Sequence, residues 1–293
     1  MERIRRKIKN NKILYKVGYP IVFAARYIRG VYLQIGWFYI KILLRKIHII
    51  KYDQVLGKLE AQYKGQHKRI FVVATGPSLR IEDLEWLEKN QEISISFNGI
   101  FKMFDKVDWR PDYYVMDDYW LYRSYKKKKF DIQFEKFAKN KVILSEPMKK
   151  ELDYDYDTKK IGFVPMCYYD HWFTNKSERY NYSRDLKNGH YDLYTVTNLA
   201  INLADYMGVE EVYLLGVDCS FASGALHCGE AEENQEKKNI EKLLEQENAQ
   251  RRGYHELHKR ITPNGIRIYN ATRGGLLEEF ERVDMDKLIE QSN

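Results

Sequence analysis

Three features of the sequence predict an α/β fold. Short apolar segments typical of buried strands recur along residues 66–290. Stretches with helical spacing separate them, as they do in parallel sheets that helices cover on both faces. Glycine or a polar residue follows most of these strands directly. We therefore expect a Rossmann-like, mostly parallel sheet with helices on both faces, plus an N-terminal basic amphipathic helical segment.

Local patterns predict the individual elements. Arg69–Ala74 is a short apolar run that ends at a Gly-Pro turn, as buried strands often do. A helix is predicted over Ile81–Lys89, and Ser78 is expected to cap it. Gly208 is expected to end a later helix. The other predicted strands are Ile93–Asn98, Tyr113–Asp117, Lys141–Ser145, Gly162–Pro165, Glu211–Gly216 and Arg267–Tyr269, and the other helices are Thr197–Met207 and Ala231–Lys259.

The positive charge is concentrated at one end of the chain, which has 293 residues and a formal net charge of +7. Residues 1–50 contain 12 Lys and Arg and one acidic residue, a net charge of +11. The remaining 243 residues contain 37 basic and 41 acidic residues, a net charge of −4. Nucleic-acid-binding domains have their positive charge on the folded domain itself. We therefore predict a basic appendage over residues 1–55, a catalytic domain over residues 66–290 and no nucleic-acid partner.

The N-terminal segment is basic and partly apolar. Val31–Leu44 is interrupted only by Gln34 and Lys41, and it is shorter than the roughly 20 apolar residues of a membrane-spanning helix. Basic residues follow the apolar run where a signal peptide has its cleavage site. We expect amphipathic helices on an anionic membrane surface, with Trp37–Tyr39 at the headgroups. This predicts a cytoplasmic protein, peripheral on the inner face of the plasma membrane; the alternative is that the segment packs on the body or forms an oligomer contact.

The three cysteines are too few and too scattered for a disulfide framework, so we expect a reducing compartment. Cys219, His227 and Cys228 are close in sequence, but their spacing matches no standard zinc site. No metal ligand is therefore assigned from these residues.

Polar residues and glycines lie just after several predicted strands. Taken singly, each fits a turn or a helix cap. In open parallel sheets, however, ligands bind beyond the carboxyl ends of the strands, where such residues converge. We therefore predict a nucleotide or donor site that comprises Thr75, Gly76, Pro77, Ser78, Asn98, Asp117, Gly216, Asp218, Ser220, Asn270 and Thr272.

The chemistry expected of these residues differs. The backbone at Gly76 and Ser78 is suited to approach a phosphate, although it matches neither a P-loop nor the Gly-x-Gly-x-x-Gly dinucleotide motif. Asn98 is suited to bind a base, ribose or sugar hydroxyl. Asp117 and Asp118 are suited to hold a ribose hydroxyl, to ligate Mg²⁺ through phosphate oxygens, or to act as a base. Mg²⁺ is thus a candidate cofactor, and no cofactor is assigned.

Two further segments are candidates for substrate contact. Phe221–Glu230 has the small residues of a lid loop, and His227 within it is a candidate general base. The alternative is an exposed loop histidine with no role. Arg123–Lys129 is predicted to be a solvated loop, with contact to an acidic acceptor or the membrane as the alternative.

Several motifs resemble those of the MptE-like family, which is named for archaeal 6-hydroxymethylpterin diphosphokinases. They lie between Arg69 and Ile289. Bacterial members of the family often accompany surface-polysaccharide or motility genes. The motifs are Gly76-Pro-Ser-Leu79, Phe97-Asn98, Leu214-Leu-Gly-Val-Asp218 with Ser220-Phe221, Tyr269-Asn-Ala-Thr-Arg-Gly-Gly275 and Phe280-Glu-Arg-Val-Asp284.

The same fold occurs in bacterial lipooligosaccharide sialyltransferases. That resemblance implies that Gly76 and Asn98 contact a nucleotide sugar and that His227 is the nearest counterpart of the catalytic histidine. Sialyltransferases have asparagine at the position of Thr75 and a phosphate-binding tyrosine at the position of Ser220. These two departures argue against CMP-sialic acid as the donor.

Together these features predict a glycosyltransferase that uses a nucleotide-activated sugar to build a surface or lipid-linked glycan at the membrane. His227 or Asp118 would deprotonate the acceptor hydroxyl. The expected partners are a nucleotide-sugar donor, a glycan or lipid-linked acceptor, and an anionic membrane through residues 1–50. The alternatives are a magnesium-dependent diphosphokinase of the pterin type and a non-catalytic polysaccharide-assembly scaffold.

Overall fold

The computed structural model describes residue 28 and residues 36–167, 182–220 and 240–291. The chain divides into two compact units, Met1–Lys51 with Cys167–Glu178, and Tyr52–Met166 with Arg179–Asn293. The second unit contains the large sheet.

The described part of the first unit is mainly one helix, α1 (Trp37–Lys46). Arg45 and Lys46 lie in its last turn, where the helix dipole favours positive charge. None of the described helices combines the length and the apolar composition needed to cross a membrane. Residues 1–27 and 29–35 of the predicted basic segment lie outside the described residues. Five large apolar side chains on this helix or within three residues of its end are exposed: Tyr39, Ile40, Leu43, Ile47 and Ile49.

The second unit is built on a parallel sheet. In chain order the strands are β1 (Arg69–Val73), β2 (Ser94–Phe97), β3 (Tyr113–Met116), β4 (Lys141–Ser145), β5 (Ile161–Val164), the short β6 (Met166–Cys167) and β7 (His190–Tyr191), β8 (Glu211–Leu215), β9 (Arg267–Asn270) and β10 (Glu281–Arg282). Eight of them form one sheet in the order β10-β9-β8-β1-β2-β3-β4-β5, and every neighbouring pair is parallel. The strand order reverses at β1 and β8, which is where open parallel sheets form a ligand crevice.

Helices and short turns connect the strands. The α-helices of this unit are α2 (Gln54–Leu59), α3 (Ile81–Lys89), α4 (Tyr119–Lys127), α5 (Val196–Tyr206), α6 (Ile240–Ile261) and α7 (Met285–Gln291). The 3-10 turns are Asn98–Met103, Phe134–Lys136, Glu146–Lys150 and Thr262–Asn264. Every residue of α5 is buried, as expected for a helix packed in the interior, and it contacts β1, β2 and β3. The predicted α/β fold with a mostly parallel sheet is confirmed.

Two local predictions were wrong. Ser78 does not cap α3, because its side chain donates to Asp218; the cap is Arg80, whose N–H donates to Asp83 Oδ2 at 3.0 Å. Arg123–Lys129 is not a loop over most of its length, since α4 extends from Tyr119 to Lys127. This helix buries only Tyr122 and Tyr125, so its apolar periodicity is too sparse to identify it.

Candidate functional site

A cleft of about 180 Å³ lies at the carboxyl edge of the sheet, where β1 and β8 are neighbours. Five segments form its wall: the loop after β1, the loop after β8, the end of β2, the start of α5 and one face of α6. The lining residues are Ala74, Thr75, Gly76, Pro77, Phe97, Asn98, Thr195, Val196, Thr197, Gly216, Val217, Asp218, Cys219, Ser220, Gln250 and Tyr254. Seven of the predicted donor-site residues are among them: Thr75, Gly76, Pro77, Asn98, Gly216, Asp218 and Ser220.

The loops after β1 and β8 are packed directly on each other. The N–H of Gly76 donates to the carbonyl oxygen of Gly216 at 2.9 Å. A Cβ at Gly76 would overlap that carbonyl oxygen and the Asp218 carboxylate. Glycine at position 76 is therefore required by contact between the two loops.

The Asp218 carboxylate lies beneath the β1 loop and is only 8% exposed. Oδ2 accepts a hydrogen bond from Ser78 Oγ at 2.9 Å and a longer one from Ser78 N at 3.4 Å. Burial raises the pKa of this carboxyl, while the Ser78 hydrogen bonds lower it. Both amides that were predicted to bind phosphate, at Gly76 and Ser78, thus donate within the protein.

The start of α5 offers a better site for an anion. Thr195 is the N-cap, and its Oγ1 accepts from Thr197 N at 3.3 Å. The helix is 11 residues long, so its dipole and its first N–H groups favour negative charge in the cleft. The hydroxyl of Tyr254 makes hydrogen bonds with Thr197 and Thr195, and burial raises its pKa well above the usual range. A cluster of three neutral hydroxyl groups therefore lies at this helix start.

Asn98 lies just after β2 in the left-handed backbone region, with φ of 51°. Asparagine tolerates this conformation better than most residues. The backbone carbonyl of Asn98 accepts a hydrogen bond from Tyr114 Oη at 2.7 Å, which fixes the turn. Its side-chain Oδ1 is buried and has no hydrogen-bond partner within the described part of the chain. The cleft therefore contains an amide oxygen that is available to a ligand donor.

Cys219 also lines the cleft, but its thiol is not set up as a nucleophile. Burial, followed by the charges of Glu247 and Asp218, raises its pKa to about 12. A reactive cysteine needs a lowered pKa, since the thiolate is the reactive form. Cys219 is therefore a protonated, buried wall residue at neutral pH.

The two predicted acidic residues after β3 have other contacts. The Asp118 carboxylate caps α4 by accepting from Trp120 N at 2.7 Å and Leu121 N at 3.1 Å. The Asp117 carbonyl oxygen accepts from Ser145 Oγ at 2.8 Å. Neither residue lines the cleft. Over the described ranges, no three His, Cys, Asp or Glu side chains gather in a group that could hold a metal ion.

Asn270 and Thr272 support the cleft from behind. Asn270 is fully buried; its Nδ2 donates to the Leu277 carbonyl at 2.8 Å and its Oδ1 accepts from Thr272 N at 3.0 Å. Thr272 Oγ1 accepts from Val217 N at 3.0 Å. Thr272 thus holds the loop after β8, Asn270 holds the segment that carries Thr272, and neither lines the cleft. The predicted base, His227, and the neighbouring Cys228 lie outside the described residues.

The sequence analysis did not identify the start of α5 or the α6 face as parts of the site. Thr195, two residues before the predicted helix Thr197–Met207, is a residue type typical of N-caps, and it was the available indication of an anion site. Gln250 and Tyr254 lie within a long polar helix, where no local pattern distinguishes a cleft-facing side chain from a solvated one.

Comparisons with known proteins place these features in a family. The sequence matches no curated protein. Among solved structures, the chain is similar to the MAf glycosyltransferase from Magnetospirillum magneticum AMB-1, with 17% identity and a TM-score of 0.45. That similarity covers 80% of this chain and 38% of the other, so this chain spans less than half of that protein's length. The family described as 6-hydroxymethylpterin diphosphokinase MptE-like matches residues 43–224, which excludes the Tyr269–Gly275 motif. Because this match spans more than half of the chain, the protein belongs to the MptE-like family.

Proposed function

We propose that the protein is a glycosyltransferase that binds a nucleotide-activated sugar in the cleft and transfers the sugar to a surface or lipid-linked glycan. The observation that supports this most directly is the composition of the cleft. It combines a helix start that favours an anion with a buried amide oxygen that needs a donor. A nucleotide sugar has both groups, a phosphate and many hydroxyls.

Two groups in the cleft wall suggest how such a donor would bind. The phosphate fits the start of α5, where the hydroxyl groups of Thr195 and Thr197 adjoin the first helical amides. The ribose or the sugar fits beside Asn98, whose Oδ1 can accept from a hydroxyl. Gly76 and Asp218 also line the cleft, and neither needs to contact phosphate.

The transfer step uses a simple exchange of bonds. The acceptor hydroxyl attacks the anomeric carbon, the bond from that carbon to the donor phosphate breaks, and a base takes the acceptor proton. His227 is the proposed base, on the sequence argument alone. The start of α5 would stabilise the negative charge that develops on the leaving phosphate, an effect that often supplies much of an enzyme's rate enhancement.

The location we propose is the cytoplasmic face of an anionic membrane. The net charge of +11 over residues 1–50 favours binding to anionic lipid headgroups. The exposed apolar side chains of α1, Ile40 and Leu43 among them, are suited to enter the interface. A lipid-linked acceptor requires such docking, whereas a soluble pterin does not.

The family description favours a second candidate, a diphosphokinase that transfers pyrophosphate from ATP. That reaction needs Mg²⁺ held by carboxylates, which the sequence analysis assigned to Asp117 and Asp118. The use of Asp118 as the α4 cap leaves this pair less suited to the task.

Calorimetric titration of the full-length protein separates these candidates. The panel is CMP-, UDP-, GDP- and CDP-sugars and ATP, each with and without Mg²⁺. We expect a nucleotide sugar to bind. Thr197→Val, at the helix start, should weaken this binding, whereas Thr262→Val, at an exposed turn, should not. Binding of ATP with Mg²⁺ alone would favour the diphosphokinase, and no binding across the panel would favour an assembly scaffold.

A further inference from the structure

Glu247 on α6 is a buried acidic residue for which the described part of the chain provides no hydrogen-bond donor to Oε2. Its side chain is 5% exposed. It makes no hydrogen bond or ion pair with any residue that the structure describes, and its Oε2 is fully buried. An ionised carboxylate without a partner is costly to bury. Such a group is usually retained because something outside the protein completes it.

The position of Glu247 relates it to the cleft. Gln250 and Tyr254 lie three and seven residues further along α6, and both line the cleft. Residues with this spacing share one face of a helix. Glu247 is therefore on the cleft-facing side of α6, about 5 Å along the axis from Gln250. Its charge also reaches the cleft wall, since it is one cause of the raised pKa of Cys219.

Asn98, which lines the cleft itself, provides another buried acceptor without a partner among the described residues. The unsatisfied atoms of Glu247 and Asn98 are both oxygens, so the missing groups are hydrogen-bond donors. Ionised phosphate has no donor to offer, whereas ribose and sugar rings have several hydroxyls. Carboxylates commonly hold ribose hydroxyls in nucleotide-binding α/β folds.

We propose that Glu247 and Asn98 together bind the hydroxyls of a polyhydroxylated ring, and that this ring sets the substrate class of the cleft. The inference rests on the proposed function, because it specifies which part of a nucleotide sugar these residues recognise. The ring is either the ribose or the transferred sugar, and both present the same hydroxyl chemistry.

The stability of the unliganded protein tests whether the Glu247 carboxylate is buried without a stabilising contact in the protein. Glu247→Gln removes a buried charge and should raise the Tm of the full-length protein by about 2 to 4 °C. Glu247→Met, which is similar in shape, should raise it as well. Glu245→Gln makes the same change at an exposed position of the same helix and should leave the Tm within about a degree. A lower Tm in both Glu247 variants would overturn the inference, since it would mean that the carboxylate already has a stabilising role in the protein.

Ligand affinity tests whether Glu247 binds the hydroxyls of the ring. The probes are CMP, UMP, GMP and AMP, together with the nucleoside mono- or diphosphate sugars that contain the same nucleosides. Calorimetry measures the affinity for each probe. Glu247→Gln should lower the affinity for the ligand about 10- to 100-fold, as expected when a hydrogen bond to a charged group is lost. Glu245→Gln should not change the affinity. If Glu247→Gln lowers the affinity for both the nucleoside monophosphate and the nucleotide sugar, the ring is the ribose. If it lowers the affinity for the nucleotide sugar alone, the ring is the transferred sugar. Unchanged affinity in Glu247→Gln would overturn the inference even if the proposed function holds.

Failure of the proposed function gives a different pattern. If none of these nucleotides binds the wild-type protein, the glycosyltransferase proposal fails, and titration with free monosaccharides at millimolar concentration then decides the inference. Binding of a monosaccharide that Glu247→Gln weakens would support it. No binding by any sugar-containing probe would overturn it together with the proposed function.

Discussion

The hydroxyl of Ser78 donates a hydrogen bond to the carboxylate of Asp218 at 2.9 Å, although 140 residues separate the two in sequence. The contact joins the loops after β1 and β8, the two strands at which the strand order reverses. The Gly76–Gly216 backbone hydrogen bond lies beside it, and Thr272 holds Val217 from the other side. One wall of the cleft is thus a set of loops that fix one another.

Gly76→Ala should disrupt this wall. The added Cβ overlaps the Asp218 carboxylate and the Gly216 carbonyl oxygen, and both belong to a fixed loop. We expect a loss of at least 2 kcal/mol in the free energy of unfolding, of the order seen when a packed core is overfilled. Urea unfolding measures it. Gly57→Ala is the control, because its Cβ meets nothing within 4 Å inside α2 and should be neutral or slightly stabilising. Equal stability of the two variants would contradict the packing argument.

Ser78→Ala should destabilise the protein in a pH-dependent way. Burial raises the pKa of Asp218 in the folded state, and the Ser78 hydrogen bonds oppose that rise. A raised folded pKa means that stability is greatest when the carboxyl is protonated and falls as pH rises through that pKa. Loss of the Ser78 hydroxyl raises the pKa further, so the deficit of the variant should grow from pH 4 to pH 7, to about 1–3 kcal/mol.

Urea unfolding at several pH values measures this deficit. The control is Asp218→Asn, which still accepts from Ser78 but does not titrate. In that background, Ser78→Ala should cost about the same at every pH. A deficit that shrinks as pH rises would show that the sign assigned to Asp218 is wrong.

The sheet was predictable from sequence because each of its long strands is a local apolar run. All four side chains of Ile70–Val73 are fully buried, and such a run contrasts with its surroundings. The two-residue strand β10 has no such contrast, because both Glu281 and Arg282 are exposed. It forms only because β9 provides a paired edge.

The site was predictable only in part, because polar residues after strands have two possible uses. Asn98 and Ser220 line the cleft, whereas Asn270 and Asp118 satisfy backbone groups of the protein itself. In both cases the local sequence shows the same feature, a polar residue shortly after a strand. Glu247 was not identified because its burial depends on how α6 packs, which no pattern within the helix specifies.

Membrane binding should depend on the apolar face of α1. Ile40→Asp with Leu43→Asp places two charges where apolar side chains are exposed, so the fold should tolerate them while the interface should not. We expect sedimentation with anionic phosphatidylglycerol vesicles to fall at least tenfold. The matched control is Leu244→Asp with Leu276→Asp, which changes two exposed leucines of the second unit. Equal binding by both variants would count against α1 as the docking element.

The identity of the general base can be tested by substitutions that treat Asp118 and His227 differently. Asparagine caps helices as well as aspartate does, so Asp118→Asn should preserve the hydrogen bonds to Trp120 N and Leu121 N while removing the basic carboxylate. Asp118→Ala removes the cap as well and should cost about 0.5–2 kcal/mol. If capping is the whole role of Asp118, the asparagine variant keeps its stability and its turnover of the nucleotide sugar that binds.

His227→Ala should give the complementary result. Loss of a general base lowers turnover by about 10²- to 10⁴-fold, while donor affinity changes little because the base contacts the acceptor proton. Release of the nucleoside phosphate in the presence of acceptor measures turnover, and calorimetry measures donor affinity. His255→Ala is the control, since that residue is exposed on α6 and pairs with Glu279. Full activity in His227→Ala together with loss of activity in Asp118→Asn would reverse the assignment. The proton would then go to Asp118 Oδ2, because both backbone amides of the cap donate to Oδ1.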